Sequence, residues 1–371
     1  MKKLTYLTIL FLIWGAKCNN PAGPVSARGP ILYVLTDMFP WPVGKAKIFY
    51  IDTATDLVVD SMLIPFSSRA FGVSPDGSKL YLYKAVVDTK KKRIIEGANT
   101  GVPTPDGKYL IFGSLANPTL RVIDAHSNKV LYNSDTFGML VYGTGREFDV
   151  KRGLVYGRIQ DSTHNVPTKI GVFDYKNFEL IKVINPADIG GYDIAVFDIV
   201  VTKDGNKLYY TSSAYDASFT GIDLVQEKVI TFQRLNWLSY LAITPDDQYI
   251  YQTDAVGPIT RGECATGKIG VYSPHLEKPL EPIDVDEAIC QGIVRGCDRD
   301  TIRCPTGPCG ASTYHFVITP DGKKAYSETA FGCTVRIHDT VHNKVLGEIL
   351  VSREAIFMIS IAIQPPKQSN F

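Results

Sequence analysis

One phrase recurs along this chain, and no other feature restricts the fold as much. It reads "FGVSPDGSKLYLY" from Phe71, "GVPTPDGKYLIFG" from Gly101 and "IVVTKDGNKLYYT" from Ile199. It returns as "LAITPDDQYIYQT" from Leu241 and "FVITPDGKKAYSE" from Phe316, with a degenerate copy, "FDVKRGLVYG", from Phe148. Each copy is an apolar strand, a tight turn and a second apolar strand. Asp-Gly makes the turn, because Asp bonds to backbone ahead of it and Gly accepts positive φ. Past the turn stand Leu80, Leu110, Leu208, Ile250 and Ala325, then Tyr81, Ile111, Tyr209, Tyr251 and Tyr326. Consecutive apolar residues of this kind suit a strand packed on both faces.

A second phrase follows each first one. It is a hairpin with a polar turn, marked by Asp52, Asp88, Asp124, Asp174, Asp223, Ser273 and Asp339. Two hairpins per unit give four antiparallel strands, and seven units predict an all-β, seven-bladed propeller. The first blade lacks an inner strand, because Ile31–Leu35 already reads as a second strand. The segment from Ile356 to Gln364 reads as an inner strand with nothing after it. The C-terminal strand is therefore expected to complete blade one, which removes two open sheet edges. A chain of 371 residues then holds one domain over 28–371, with a Cys-rich insertion at about 285–312.

These phrases resemble the YVTN-type repeat, grouped with the amine-dehydrogenase heavy-chain-like propellers. The resemblance runs from about Ile31 to Pro365. It implies the fold, and one functional reading through the superfamily: a subunit of a periplasmic amine-oxidising complex. Its matching residues are turn and core residues, so Asp76, Asp106, Asp204 and Asp321 are expected to be structural, and the fold by itself selects no function.

The N-terminus points to export. Lys2-Lys3 precedes an apolar run from Leu4 to Trp14, too short to span a bilayer, and reads as a signal peptide over 1–27. The alternative is a lipid anchor on Cys18, with Lys17 standing where a small residue is wanted. Either outcome removes one of the 7 cysteines. Cys264, Cys290, Cys297, Cys304, Cys309 and Cys333 remain, an even set that an exported chain would pair as disulfides. Their spacings contain no Cys-x2-Cys zinc knuckle. The location expected is secreted or periplasmic.

Topology picks out one face. The tight first turns and the short second turns lie on one side of a propeller, and the long connections lie on the other. All six mature cysteines and both mature tryptophans, Trp41 and Trp237, fall on the long-connection side. Stapled long loops are usually functional. Aligned copies place Ala70, Thr100, Arg146, Asp198, Tyr240, His315 and Ser360 at one level of the channel mouth, with Arg69, Glu147, Asp193 and Tyr314 beside it. His315 could act as acid or base. Arg69 and Arg146 could hold a carboxylate, phosphate or oxyanion. Asp198 could orient His315 or balance an arginine.

Other signatures are missing. No His-Glu-x-x-His, Gly-x-Ser-x-Gly, P-loop or Cys-x-x-Cys-His motif occurs. His338 and His342 fall in a β-hairpin and are expected to be exposed turn residues, and Lys90–Arg93 is expected to be a solvated basic turn. Lys+Arg 39 against Asp+Glu 38 leaves net +1, with no positive field for nucleic acid. The reading is an exported propeller that binds a small ligand or protein partner at its disulfide-stapled mouth. It is expected to be monomeric outside a complex and to have no cofactor, metal or transmembrane segment in the mature chain. The alternative is a cofactor-independent enzyme of lactonase, lyase, isomerase or cyclase type. In that case His315, Arg146, Asp198 and Tyr240 are the catalytic candidates. Arg69, Glu147, Asp193, Trp41, Trp237 and Tyr314 are ligand-binding candidates under either reading.

Overall fold

A computed structural model describes residues 29–38, 45–114, 119–134, 137–141, 147–160, 169–191, 195–213, 217–235, 239–253, 268–285, 313–329, 334–351 and 356–365. They form seven antiparallel sheets, one per blade. In blade five the order is Ala195–Val201, Lys207–Ser213, Ser218–Asp223 and Lys228–Arg234, from the inner strand outwards. In blade one the C-terminal strand Ile356–Ile363 pairs with Ile31–Met38, so the last strand closes the first blade as the sequence predicts. The exception is blade four, whose inner strand comes in two pieces. Gly138–Leu140 and Phe148–Asp149 pair with the same second strand, Leu154–Gln160.

The repeat residues do local work. In blade three the Thr104 hydroxyl donates to Asp106 Oδ1 at 2.6 Å and accepts from the Tyr109 N–H at 3.0 Å. Asp106 also accepts from the Lys108 N–H, and Gly107 sits at φ 69. Ser74/Asp76, Thr202/Asp204 and Thr319/Asp321 repeat this arrangement. These carboxylates are engaged in turns, as expected. The second hairpins follow another rule. Asp124 Oδ1 accepts from the N–H groups of His126 and Ser127, and Asn128 then takes φ 60. The equivalent residues Asp56, Lys92, Phe178, Glu227, Glu277 and Asn343 are also left-handed. Each such non-glycine costs on the order of 1 kcal/mol locally, which the marker residue's bonds to the turn offset.

Burial explains the doubly apolar strands. There are seven hydrophobic clusters, and each fills a seam between neighbouring blades. Between blades five and six, Tyr209 stacks on Phe219 at 5.7 Å and meets Tyr272 at 5.5 Å. One position demands glycine. A Cβ on Gly113 would lie 1.5 Å from the Met139 carbonyl oxygen of the next blade.

On the tight-turn face, side chains just past the first turn tie each blade to the next. Lys79 Nζ donates to the Ala125 carbonyl, and Lys207 Nζ donates to the Pro274 carbonyl and to Glu277. Tyr251 Oη donates to Asn343 at 2.6 Å. At the closure, Lys324 Nζ donates to Asp56 Oδ2 at 2.6 Å, and Tyr326 Oη donates to Asp56 Oδ1 at 2.5 Å. Lys90, Lys91, Lys92 and Arg93 are exposed, and Lys92 pairs with Asp60.

One expectation fails here. His342 is exposed, but His338 is fully buried against Phe316 and the Ser327 hydroxyl, 2.8 Å from its Nε2. The strand Thr334–Asp339 is covered on both faces, with Val335, Arg336, Ile337 and His338 all buried. His338 pairs opposite Ala325 in the unbroken ladder with Lys324–Thr329, so it is an interior strand residue and not part of the turn. Burial, then the charge of Arg336, brings the His338 imidazole down to about 3.

Candidate functional site

Inner strands of neighbouring blades contact one another around the centre. Where they reach the long-connection side, four of them kink. The pairing of the inner strand with the second strand slips between Leu35 and Thr36 in blade one, opposite Ile359. It slips between Ala70 and Gly72 in blade two, between Val196 and Asp198 in blade five, and between Thr313 and Phe316 in blade seven. Bulges of this kind re-aim side chains and are common beside functional sites. The residues at or beside these kinks are Ser360, Ala70, Asp198 and His315, all from the aligned level.

The structure draws Asp198, Tyr240 and His315 into one arc. Asp198, in blade five, is fully buried. Its Oδ1 accepts from the Ile199 N–H at 2.9 Å, and its Oδ2 accepts from the Leu241 N–H of blade six at 2.7 Å. Burial pushes this carboxyl up to about 7; the Leu241 N–H lowers it, the charge of Glu147 raises it, and the Ile199 N–H and His315 lower it. Tyr240 directly precedes the inner strand of blade six, and its N–H donates to Thr253 Oγ1 at 3.2 Å. The Tyr240 ring lies 4.3 Å from the His315 ring, centroid to centroid, and 4.9 Å from Phe197 on another flank. Ser360 accepts from the Ala70 N–H at 3.2 Å, and Thr100 Oγ1 donates to the Leu82 carbonyl. These two positions knit blades one, two and three instead of facing the arc.

Asp198 holds blades five and six together by their backbone, and it is not the residue that holds His315. That residue is Glu328, on the second strand of blade seven: His315 Nδ1 bonds Glu328 Oε1. The side chain of Glu328 is 1% exposed and that of His315 is 23% exposed. Glu328 ends the quoted phrase "FVITPDGKKAYSE". At the equivalent place past the turn the other copies carry Tyr83, Gly113, Thr211 and Thr253. A carboxylate at a position otherwise held by small, hydroxyl or aromatic groups was the available signal.

The cation of the arc was also missed. Arg158 lies within the strand Leu154–Gln160. Its Nη1 donates to the Val196 carbonyl at 3.1 Å, and its guanidinium stands 6.0 Å from the Phe197 ring centre. Burial lowers it to about 10, against the charges of Asp198 and Tyr240. Glu147 is buried beside Asp198, as the charge coupling between them shows. Arg69 is exposed and near no residue of the arc in any described contact. Tyr314 lies in the inner strand of blade seven, and its side chain lies outside the description. Arg146, Asp193, Trp41, Trp237, Cys264, Cys290, Cys297, Cys304, Cys309 and Cys333 fall outside the described residues.

Among the described residues no group of three or more His, Cys, Asp or Glu side chains is arranged to hold a metal ion, and no helix is long and apolar enough to cross a membrane. A shallow cleft between blades two and three, lined by Lys79, Asn99 and Asn128, lies away from the arc. There the Lys79 ammonium donates to the Ala125 carbonyl, and Asn99 and Asn128 bond each other's side chain and backbone.

The geometry defines a seven-bladed β-propeller with a polar and aromatic arc at the channel end of blades four to seven. No family model matches the chain, and no curated protein matches it. Solved structures do. A functionally unknown protein from Desulfotomaculum acetoxidans is similar over 91% of this chain and 99% of its own, at 13% identity and TM-score 0.55. The dihydro-heme d1 dehydrogenase NirN, in complex with DHE, is similar over 90% of this chain and 66% of its own, at 11% identity and TM-score 0.54. A Kuenenia stuttgartiensis hydrazine synthase chain matches 72% of this chain and 75% of its own, at 16% identity and TM-score 0.49. At these identities the likeness is one of fold.

Proposed function

We propose that this chain is an exported propeller that binds a small ligand or a protein partner at its long-connection face, with a polar group of the ligand reaching Tyr240 and His315. One observation carries the reading. Adjacent inner strands bring a buried acid, an aromatic ring and a partly exposed imidazole to one level, two of them at strand bulges. Such a cluster of convergent polar groups with a shifted carboxyl is the usual mark of a binding site. That a propeller of similar fold is held in complex with a ligand is compatible with this. Export and the pairing of the six cysteines rest on the sequence: a basic, then apolar N-terminus, and an even cysteine set on one face.

Native mass spectrometry of protein purified from its own export compartment tests the reading. The expected result is a bound species or partner that Tyr240→Ala and His315→Ala each weaken by tenfold or more, with melting temperatures within a few degrees of wild type. Full retention by both variants would place the ligand elsewhere. The same spectra give the mature N-terminus and the number of free thiols, expected to begin after residue 27 and to be zero.

A further inference from the structure

His315 has one ring nitrogen engaged and one open. Nδ1 bonds Glu328 Oε1, and Nε2 has no hydrogen-bond partner among the described residues. An ionised carboxylate only accepts, so the neutral ring carries its hydrogen on Nδ1 and presents a lone pair on Nε2. Among the described residues Glu328 has no second hydrogen-bond partner, its buried Oε2 making no hydrogen bond. A buried carboxylate with one partner is costly, and the fold does not require it. In blades five and six the same position is a threonine that bonds backbone: Thr211 Oγ1 donates to the Ser239 carbonyl at 2.6 Å, and Thr253 Oγ1 accepts from the Tyr240 N–H. The imidazole is aimed by the bulge between Thr313 and Phe316 and braced by the Tyr240 ring. A buried carboxylate orienting a partly exposed imidazole is the arrangement of a general base.

We propose that Glu328 and His315 form a general-base pair, and that the molecule taken at the mouth is a small substrate with an acidic C–H or O–H group. This rests on the ligand-site reading above. His315 Nε2 bonds the substrate's proton as the C–H or O–H bond breaks, and the electron pair stays on the substrate. The positive charge gained by the ring is balanced by the Glu328 carboxylate. The proton then returns to the product or passes to water, so no electrons are exchanged. Glu328 is a positioning residue here, and His315 is the catalytic one.

Two measurements test this on the full mature chain. Long-range proton–nitrogen NMR of 15N-histidine protein reads the tautomer directly. Wild type should carry the hydrogen on Nδ1, and Glu328→Gln, whose amide both donates and accepts, should lose that preference. A bare Nδ1 in wild type overturns the proposal. The second measurement uses 5-nitrobenzisoxazole, from which a base removes one ring proton as the N–O bond breaks, leaving a coloured phenolate. His315→Ala should lower kcat by about 100-fold or more, with His315→Gln as a second variant if the first does not fold. Glu328→Gln should lower kcat and move its pH profile while leaving KM in place. Saturable turnover with an unchanged kcat in both His315 variants overturns the base pair and leaves the ligand site standing. Absence of saturable turnover in wild type counts against both.

Discussion

Two buried groups should drive the stability of this propeller in opposite directions over the same pH range. Asp198 titrates near 3.8 in an unfolded chain and at about 7 in the fold. Its folded pKa is raised, so its contribution is full below about pH 4 and is lost as pH climbs to 7. His338 titrates near 6.5 when unfolded and at about 3 in the fold. Its folded pKa is depressed, so its contribution is full above about pH 6.5 and is lost as pH falls towards 3. Each displacement spans about three pH units at about 1.4 kcal/mol per unit, or roughly 4 kcal/mol apiece. Between about pH 4 and 6.5 the two slopes nearly cancel, and the wild-type profile should be close to flat. The turn aspartates do not interfere. Hydrogen bonds hold Asp76, Asp124, Asp204, Asp321 and Asp339 below the usual carboxylate range, so their effect is confined to lower pH.

Asp198→Asn separates the two groups. The amide keeps one acceptor oxygen for one of the two N–H groups now bound by Asp198, from Ile199 and Leu241. The other N–H faces an NH2 group, a pH-independent loss of about 1–3 kcal/mol. The pH-dependent term of Asp198 disappears, which leaves that of His338. The variant should therefore gain roughly 3 kcal/mol between pH 4.5 and 6.5 where wild type gains little. His338→Gln should show the reverse, a stability that falls as pH rises towards 7. Urea unfolding at half-unit steps from pH 4.5 to 7.5 reads all three proteins. Parallel profiles for wild type and Asp198→Asn would refute the reasoning, because Asp198 would then be ionised throughout.

Two further substitutions probe the frame. Gly113→Ala should destabilise by about 3 kcal/mol or more, or abolish soluble expression, because its Cβ meets the rigid Met139 carbonyl at 1.5 Å; thermal melts and expression yield read it. Tyr326→Phe should cost about 1–2 kcal/mol, because Asp56 and the Thr53 carbonyl lose the hydroxyl that joins blade seven to blade one, and chemical denaturation checks it.

The frame is legible in sequence because its determinants are local. Ser74 and Asp76, or Thr319 and Asp321, make their turn bonds within a few residues, so each copy reports the same geometry unaided. Closure is legible for a similar reason, since a missing inner strand at one end matches a surplus one at the other. The site obeys a different logic. His338 is buried because its strand is covered on both faces, and a polar residue there is enclosed whichever way it points. Arg158 directly follows the degenerate copy, where alignment loses its anchor. Glu328 and His315 belong to different strands, and only pairing of the strands brings them together.

A repeat fold therefore conceals its chemistry in a particular place. Every blade needs its turn and seam residues, so these recur and carry no information about activity. A group that serves a ligand is needed once, on one blade, and shows as a departure from the repeat. Tyr83, Gly113, Thr211, Thr253 and Glu328 stand at one position, and only the last is a carboxylate. Its neighbour across the strand pair, His315, is the one imidazole at a level where the other blades place Ala70, Thr100, Arg146, Asp198, Tyr240 and Ser360. Two departures on facing strands of one blade, joined by a hydrogen bond, are what a site built on a repeating scaffold must look like. By that criterion blade seven carries the proposed His315–Glu328 pair, with the Tyr240 ring of blade six against the imidazole.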